Sequence, residues 1–542
     1  MKKVVIFTLF FISLLWSEGI YDQGRIKPFD SFSRDILFSF NGKSSFQGLS
    51  AKELILKIIQ DPASTNEFEL FKINRAEVAE LLHLDSKKRY HSYSNLKSSR
   101  FLLEQYNERK DDHPVTLELK KLYREMRSYE SLAHALDYKR PLIQIDSDSL
   151  KSELGLESSK NMYSPQELLT KIRELDSASC SDSALWWRDS ILFQTFIGMQ
   201  ESPLRIYPSS EKDGLVSAWD YLWHGKAIPS YSLPIEENSF RLRAEIYYHR
   251  LNLPQKALIL LGLAIFLGLI HRVFQKPWIQ FSEFILLGLA GFLLTITLGL
   301  RSYIMQAPPL GSLYEVVLLV LVFISLILGI SFLKKWLTFA LIPSSLLMFI
   351  LLFFAQNALV QGDSFRVLPP LLNSSFWLTT HVFTIALGYS GMILSGLWAH
   401  LCMLKPSQQN LRMLYGILVF GVSFTLIGIL LGGIWADLAW GRFWGWDPKE
   451  CAALFVVIWA MISLHAKAGR FLTPEGFVFF SSWNIIIVAL CWFGVNLLGI
   501  GLHSYGSQRG IGLSLFYFII ADALLIFFLA WIQRRRNHTP IE

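Results

Sequence analysis

The sequence is poor in cysteine and contains no paired-cysteine motif. Its 542 residues include four cysteines, Cys180, Cys402, Cys451 and Cys491, and no CxxC or CxxCH segment. Closely spaced cysteines are typical of redox dithiols, and CxxCH is typical of covalently attached heme. The sequence therefore argues against both kinds of centre within this chain. Only Cys180 precedes residue 256, so no disulfide can form within that part of the chain.

Acidic residues are scarce in the second half of the chain. Of 44 Asp and Glu residues, nine lie after residue 255, and 52% of all residues are hydrophobic whereas 18% are charged. The formal net charge of +7 therefore reflects basic residues of the C-terminal half. These lie in short loops between apolar runs, which indicates membrane topology rather than nucleic-acid binding. The composition predicts a membrane protein with a soluble part and no nucleic-acid partner.

The chain begins with a signal-sequence pattern. Lys2 and Lys3 precede an apolar run from Val4 to Trp16, and polar sequence follows. No A-x-A cleavage site is evident, so residues 1–19 are predicted to be a signal sequence or an N-terminal anchor. In either case residues 20–255 are predicted to be exported. Helix-like apolar spacing and weak strand signals in this segment predict a mostly helical soluble domain, whose role the sequence leaves open.

From residue 256 onward, apolar runs alternate with short polar loops, and each run is close to the ~20 residues that cross a bilayer. Nine spans are predicted, near residues 256–274, 280–300, 313–333, 337–354, 376–402, 411–433, 451–467, 477–499 and 511–533. Lysine and arginine fall in alternate loops, which places those loops and the C-terminus in the cytoplasm. The fold class is therefore mainly α, with a polytopic helical membrane domain over residues 256–542. The predicted location is a bacterial inner membrane with the soluble domain outside.

The densest group of aromatic residues lies in residues 432–454, which join the predicted spans six and seven on the outer side. The segment reads GGIWADLAWGRFWGWDPKECAAL and contains Trp435, Trp440, Trp444 and Trp446. An aromatic belt at the membrane interface is one interpretation. The density of rings, with glycines between them, favours a platform for a flat apolar ligand, because glycine allows a ligand to approach closely.

The end of this segment has a local explanation. Asp447 is predicted to be the N-cap of span seven, with Pro448 at the first helical position and Glu450 reaching back to complete a capping box. Asp447 and Glu450 therefore need no catalytic role.

Two histidines lie at the predicted outer ends of spans. His381 opens span five, and His503 follows span eight. A single histidine at a membrane boundary is ordinarily an interfacial hydrogen-bonding residue. Two imidazoles on the same side as an aromatic platform favour an axial pair for heme iron. Three basic residues, Arg442, Lys449 and Arg509, lie on the predicted outer side. Of these, Arg442 is the best candidate to pair with heme propionates, with a lipid phosphate or Asp437 as the alternative partner.

Three further histidines, His271, His400 and His465, lie at predicted inner ends of spans. His465 shares a span with the end of the tryptophan-rich segment, and is predicted to be a buried intramembrane residue, which makes it a functional candidate. His271 and His400 are interpreted as boundary residues without a ligand.

The segment AWGRFWGWDPKE resembles the tryptophan-rich "WWD" signature of the heme-handling proteins of cytochrome c maturation, most closely the CcsA (ResC) type of system II. The likeness covers roughly the C-terminal half. It implies non-covalent binding of heme b as a substrate, delivery of heme across the membrane, and its attachment to apocytochrome c. The resemblance implies heme contacts at Trp435, Trp440, Trp444, Trp446, Asp447 and Arg442, iron ligation by His381 and His503, and a second heme site at His465 for heme from the cytoplasm. The segment GSLYE, Gly311 to Glu315, resembles another family motif and is assigned no role.

The resemblance also implies partners. A ResB (CcsB)-type membrane protein is normally required, and the chain shows no convincing copy of it, so heme lyase activity is expected to be shared within a holocytochrome c synthase complex. A thioredoxin-like protein is the expected reductant of the apocytochrome. The alternative is a CcmC-like heme exporter or relay without ligation activity. A non-heme solute transporter is a more distant third, because no inverted repeat or broken helix stands out.

Overall fold

The computed structural model describes residues 19–22, 24–43, 45–111, 113–173, 181–208, 215–226, 228, 239–333, 340–359, 365, 374–498 and 511–538. The chain divides into two compact units, Met1–Tyr247 and Tyr248–Glu542. The boundary predicted from the sequence was at residue 255. Residues 1–18 of the predicted signal segment, Cys180 and His503 lie outside the described residues.

The first unit is built from short helices and pairs of very short strands. Its helices are α1 (Phe29–Asn41), α2 (Ala51–Gln60), α3 (Ala76–Leu81), α4 (Tyr93–Lys97), α5 (Arg100–Glu108), α6 (Pro114–Ala133), α7 (Asp148–Glu153), α8 (Pro165–Ile172), α9 (Asp182–Glu201) and α10 (Ala218–Trp223), and α11 (Ser239–Leu251) crosses the boundary between the units. Its strands form five antiparallel pairs, β1 (Gly19–Asp22) with β2 (Arg25–Pro28), β3 (Ser45–Phe46) with β4 (Leu49–Ser50), β5 (Phe71–Lys72) with β6 (Tyr90–His91), β7 (Ile143–Gln144) with β8 (Met162–Tyr163), and β9 (Tyr207–Pro208) with β10 (Leu215–Val216).

Local sequence signals account for the helix starts of this unit. The Ser50 and Ser164 hydroxyls each accept a hydrogen bond from the backbone N–H three residues later. The Glu53 and Glu167 carboxylates accept from the backbone N–H groups of these serines, which completes two capping boxes. The apolar faces behind these caps belong to one buried core, which also contains the fully buried Tyr129 of α6. Helical content therefore follows from amphipathic spacing and caps, as the sequence predicted.

A buried carboxyl in α6 makes the stability of this unit depend on pH. Burial raises the pKa of Glu125 to about 8, although the Lys121 ammonium, 3.2 Å from Oε1, lowers the pKa. Since the folded-state pKa lies above the ordinary 4.5, the stability that Glu125 contributes is fully present below about pH 4.5 and is lost as pH rises toward 8. We expect Glu125→Gln to stabilise the protein by about 1–3 kcal/mol at pH 8 and to be nearly neutral at pH 4.5. Thermal unfolding of the purified chain at both pH values measures this.

The matched control for Glu125→Gln is Glu80→Gln, because Glu80 is exposed on α3. A Glu125→Gln variant whose melting temperature moved equally with the control at both pH values would contradict the prediction.

The second unit is a bundle of long apolar helices. They are α12 (Leu253–Phe274), α13 (Pro277–Met305), α14 (Leu313–Leu333), α15 (Leu341–Phe354), α16 (Ser375–Leu404), α17 (Gln408–Trp440), α18 (Pro448–Ala468), α19 (Pro474–Ser482), α20 (Asn484–Ala489) and α21 (Ile511–His538). Two π-helical turns, Ala355–Leu359 and Leu490–Gly494, and a 3₁₀ turn, Val495–Leu498, extend α15 and α20.

Nine segments of the described residues are long and apolar enough to cross a membrane: Phe240–Phe274, Pro277–Met305, Leu313–Phe332, Leu341–Leu359, Ser375–Leu404, Gln408–Trp440, Pro448–Ala468, Pro474–Leu498 and Ile511–Arg536. Each contains most of one predicted span, so the polytopic helical fold is confirmed. The chain is a multi-pass membrane protein.

Helices α16 and α17 pack with their backbones in close contact, because small residues line the interface. A Cβ atom added at Gly388 would lie 2.4 Å from the backbone nitrogen of Thr425, and one added at Gly391 would lie 2.7 Å from the Cα of Gly421. In lipid, where burial of apolar surface does not drive helix association, such close packing is a main source of cohesion. It fixes the two helices that carry His381 and the first part of the tryptophan-rich segment, through Trp440.

Candidate functional site

A pocket opens in the second unit where α14, α16 and α18 begin and α17 ends. Its empty volume, counted together with the part open to solvent, is ≈ 1270 Å³. The residues that line it include Leu310, Gly311, Ser312, His381, Ile385, Tyr389, Gly432, Gly433, Trp435, Phe443, Trp444, Lys449, Glu450, Trp492 and Asn496. The lining is mainly apolar and aromatic, with few charged side chains.

His381 lies in the second turn of α16, with its ring against α17. Its Nδ1 is 2.8 Å from the carbonyl oxygen of Gly428, and because a carbonyl only accepts, Nδ1 carries a proton. In the neutral imidazole, Nε2 then carries the lone pair that can bind a metal. A hydrogen bond from one ring nitrogen to a backbone carbonyl is the usual way proteins orient a histidine that ligates metal through the other nitrogen. The ring centroid lies 6.0 Å from that of Trp435.

Glycine at position 432 makes room for this histidine. A Cβ atom there would lie 2.6 Å from Cε1 and 2.8 Å from Nδ1 of His381. Gly433, the next residue, makes room for the Phe443 ring in the same way, since an added Cβ would lie 2.6 Å from Cζ. The two adjacent glycines therefore allow a histidine and an aromatic ring to lie directly against the α17 backbone.

The tryptophan-rich segment is part helix and part loop. Helix α17 continues through Trp435 to Trp440 and ends at Gly441, whose φ of 69° is in the left-handed region that glycine adopts without strain. Trp435 and Trp444 line the pocket, as does Phe443. Trp440 and Trp446 are not among the lining residues, and Trp446 is 73% exposed with its ring edge-on to Trp444 at 6.0 Å. The structure thus brings two of the four predicted tryptophans to the pocket.

The loop after α17 is held by the start of α18. Asp447 is buried and is the N-cap of α18, and its Oδ1 accepts from the backbone N–H of Lys449. Glu450 Oε2 accepts from the backbone N–H groups of Gly445, at 2.9 Å, and Asp447, at 3.1 Å. The predicted capping box is confirmed, and Glu450 also holds the tryptophan loop against the pocket.

Arg442 lies in this loop but does not line the pocket. Its side chain is exposed. The guanidinium lies so close to Gly445 that a Cβ atom added at that glycine would clash with the guanidinium. Among the described residues, no ion pair joins Arg442 to Asp437. The predicted pairing of Arg442 with propionates stays a prediction, and the side chain would have to turn toward the pocket to make it.

The GSLYE segment, to which the sequence assigned no role, forms one wall of the pocket through Gly311 to Leu313, together with the preceding Leu310. Ser312 and Glu315 form a reciprocal cap at the start of α14, since Glu315 Oε2 accepts from Ser312 N and Ser312 Oγ accepts from Glu315 N. Arg301, fully buried on α13, donates from Nε to Glu315 Oε1 at 2.7 Å. This ion pair anchors the wall to α13.

The remaining histidines lie in different surroundings. His465 lies on the surface of the helix bundle, on α18, and its Nδ1 donates to the Met461 carbonyl one turn earlier. Its predicted place within the membrane and its role at a second heme site stay predictions. His400, interpreted as a boundary residue, is buried on α16 with Nε2 3.5 Å from Asp522 on α21. His503 lies outside the described residues, so its distance from the pocket stays a prediction.

Several residues that line the pocket were not predicted from the sequence, although their spacing along the chain could have indicated them. Ile385 and Tyr389 follow His381 at intervals of four, and Asn496 follows Trp492 at the same interval, which places each set on one helical face. Behind the pocket, the Tyr389 hydroxyl lies 3.0 Å from Cys491 Sγ.

Among the described residues, no group of three or more metal-binding side chains is found. Heme needs no such group, since the porphyrin supplies four of the iron ligands.

The family model described as cytochrome C assembly protein matches residues 310–503, which contain the GSLYE wall, His381 and the tryptophan-rich segment. The chain is 30% identical to the cytochrome c biogenesis protein CcsA of Nicotiana tomentosiformis over 244 residues, which cover 37% of this chain and 77% of that protein. The chain belongs to the CcsA family of cytochrome c biogenesis proteins. The resemblance recognised in the sequence is thereby confirmed.

A longer relative matches both units of this CcsA-family chain. It is protein NrfI of Wolinella succinogenes, 27% identical over 523 residues, which cover 90% of this chain and 53% of NrfI. The chain therefore spans about half the length of NrfI, and the match includes most of the residues before 256. Among solved structures, the cytochrome c heme lyase CcmF aligns with a TM-score of 0.41 and 16% identity, covering 51% of this chain and 50% of CcmF.

Proposed function

We propose that this protein binds heme b as a substrate in the pocket around His381, and holds it for covalent attachment to apocytochrome c. The observation that carries the proposal is the orientation of His381, whose Nδ1 is fixed by the Gly428 carbonyl while the ring borders a large aromatic pocket. Neutral imidazole is a common axial ligand of heme iron, and the lining rings of Trp435, Phe443 and Trp444 suit a flat macrocycle. Membership of the CcsA family supports the same substrate.

The part played by this chain is to orient heme and exclude water. Attachment joins the thiols of a CxxCH segment to the heme vinyl groups, and each S–H adds across a C=C bond to form a thioether with no by-product. Such an addition needs vinyl and thiol groups held together, which is a positional task. A histidine on the iron and rings on the macrocycle faces would supply that position. The thiols would be kept reduced by a thioredoxin-like partner.

We further propose that the pocket lies at the outer side of a bacterial inner membrane. The loops with clustered Lys and Arg are opposite the tryptophan-rich loop in the topology that the sequence predicts, and basic loops stay in the cytoplasm. A ResB (CcsB)-type membrane protein would complete the holocytochrome c synthase, in keeping with a relative about twice as long as the aligned region.

His503 is proposed as the second axial ligand. A second heme site at His465 would lie at the opposite end of α18, on the bundle surface.

The experiment that tests ligation uses the purified chain with and without the candidate ResB-type partner, ferrous heme and a reduced CxxCH peptide. Covalent heme–peptide adduct, measured by mass spectrometry, is the expected product in the presence of the partner. Heme bound and released without adduct under every condition would favour the alternative of a CcmC-like heme relay.

The tryptophans give a prediction that separates a ligand platform from an interfacial belt. We expect Trp444→Ala to lower the heme-to-protein ratio of the purified protein about tenfold, because Trp444 lines the pocket. The matched control is Trp446→Ala, two residues away and 73% exposed, which should retain most of its heme. Equal heme ratios in both variants and the wild type, at equal protein yield, would leave only the belt interpretation.

A further inference from the structure

An ammonium group faces the pocket without a carboxylate partner. Lys449, in the first turn of α18, is half-buried and lines the pocket. Among the described residues, no Asp or Glu oxygen lies within ion-pair distance of its Nζ. The two nearest acids in sequence are already engaged, since Asp447 Oδ1 accepts from the Lys449 backbone N–H and Glu450 Oε2 accepts from two loop N–H groups.

The position of the ammonium is fixed by an amide. Nζ of Lys449 donates to Asn496 Oδ1 at 3.1 Å. The amide of Asn496 is oriented in turn, because its Nδ2 donates to the Trp492 carbonyl at 3.1 Å, which leaves Oδ1 to accept from Lys449. An ammonium carries three N–H donors, so two remain beyond the one that Asn496 receives.

A cation in such surroundings indicates the charge of the ligand. Transfer of an ammonium from water to an apolar site is costly unless an anion or several acceptors replace the water. The pocket that Lys449 lines also contains Trp444, Trp492 and Tyr389, and one neutral amide oxygen is the hydrogen-bond acceptor that the described residues supply. The Asp447 carboxylate acts on the ammonium electrostatically, but from beyond ion-pair distance. A ligand carboxylate would supply an anion in direct contact.

We propose that Lys449, positioned by Asn496, binds a carboxylate of the pocket's ligand and so selects for a porphyrin with free acid groups. The proposal rests on the proposed function, in which the ligand is heme and the carboxylate is a propionate. It assigns the propionate contact to the base of α18, in place of Arg442, whose guanidinium lies against Gly445 outside the pocket. Lys449 is then a specificity-determining residue, with no part in the bond-forming step.

The test compares two porphyrins that differ only in this charge. Full-length protein is purified in detergent from heme-starved cells and titrated with heme b and with the iron protoporphyrin dimethyl ester, whose propionates are neutral. The wild type should bind heme b at least about tenfold more tightly than the ester, as charged hydrogen bonds of this kind contribute. Lys449→Met should bind both porphyrins with the affinity that the wild type shows for the ester. Lys449→Arg should restore part of the preference.

The control variant is Lys467→Met, on the same helix but outside the pocket, which should keep the wild-type preference. The absorption spectrum of bound heme should be unchanged in Lys449→Met, since iron ligation is not altered. Equal affinities of the wild type for heme b and the ester, or a preference that survives in Lys449→Met, would overturn the proposal while leaving the proposed function intact. A wild type that binds neither porphyrin would overturn the proposed function itself.

Discussion

Replacing His381 by glycine is expected to abolish assembly of c-type cytochromes and to lower retained heme to below about a tenth of the wild-type level. His381 is the histidine among the described pocket residues, and the hydrogen bond from its Nδ1 to the Gly428 carbonyl orients its ring. Glycine removes the ring and leaves a space, which free imidazole can occupy. Added imidazole should therefore restore part of both the heme content and the assembly of cytochromes. Heme staining of membrane proteins and the heme-to-protein ratio measure the two effects.

The control for this change is His271→Gly. His271 is half-buried at the end of α12 and does not line the pocket, and its Nδ1 lies 3.0 Å from the Lys276 carbonyl, so its loss should not affect heme. Normal cytochrome assembly in the His381→Gly variant, without imidazole, would remove His381 from the site. If His381→Gly loses both cytochrome assembly and folded protein, and imidazole does not rescue it, the His381→Asn variant separates loss of ligation from loss of folding. Asparagine keeps a hydrogen bond but supplies no imidazole.

Gly432→Ala is expected to have the second largest effect, through His381 rather than through the ligand directly. The new methyl group would stand 2.6 Å from Cε1 of His381, closer than atoms can pack, so the ring must leave its place and its bond to Gly428. Displacing the support of a metal ligand typically costs 10–100-fold in affinity, and we expect heme retention to fall about tenfold. Gly416→Ala on the same helix is the matched control, because nothing lies within 4 Å of its added Cβ.

A double variant separates this mechanism from general disruption of α17. If Gly432→Ala acts by moving the His381 ring, it should have little further effect in the His381→Gly background, since no ring remains to be displaced. Additive losses of heme in the double variant would mean that Gly432→Ala disturbs the pocket by another route.

Features set by local sequence were predictable. The spans follow from hydropathy, and the start of α18 follows from Asp447, Pro448 and Glu450, whose spacing specifies a capping box without reference to the rest of the fold. The position of His381 at a span end also followed from the sequence. Its link to Gly428 did not, because the two residues are 47 positions apart and meet only when α16 and α17 pack.

Orientation of side chains was the part that the sequence could not supply. Trp435 and Trp440 are five residues apart on one helix, so they point in different directions, and only the position of the neighbouring helices determines which one faces the pocket. The exposure of His465 and the burial of His400 beside Asp522, 122 positions later, likewise depend on which helix packs against which. The sequence favoured Arg442 over Lys449 as the partner of a ligand carboxylate, because only the packing of the helices shows which of the two side chains lines the pocket.

The most direct test of a heme pocket centred on His381 is the absorption spectrum of the full-length protein purified in mild detergent from heme-replete cells. Histidine-ligated heme b, extractable by acid acetone and therefore non-covalent, is the predicted result, with a signal that falls in His381→Gly and returns with imidazole. Well-folded wild-type protein without heme, or with a heme spectrum that is the same in His381→Gly, would contradict it.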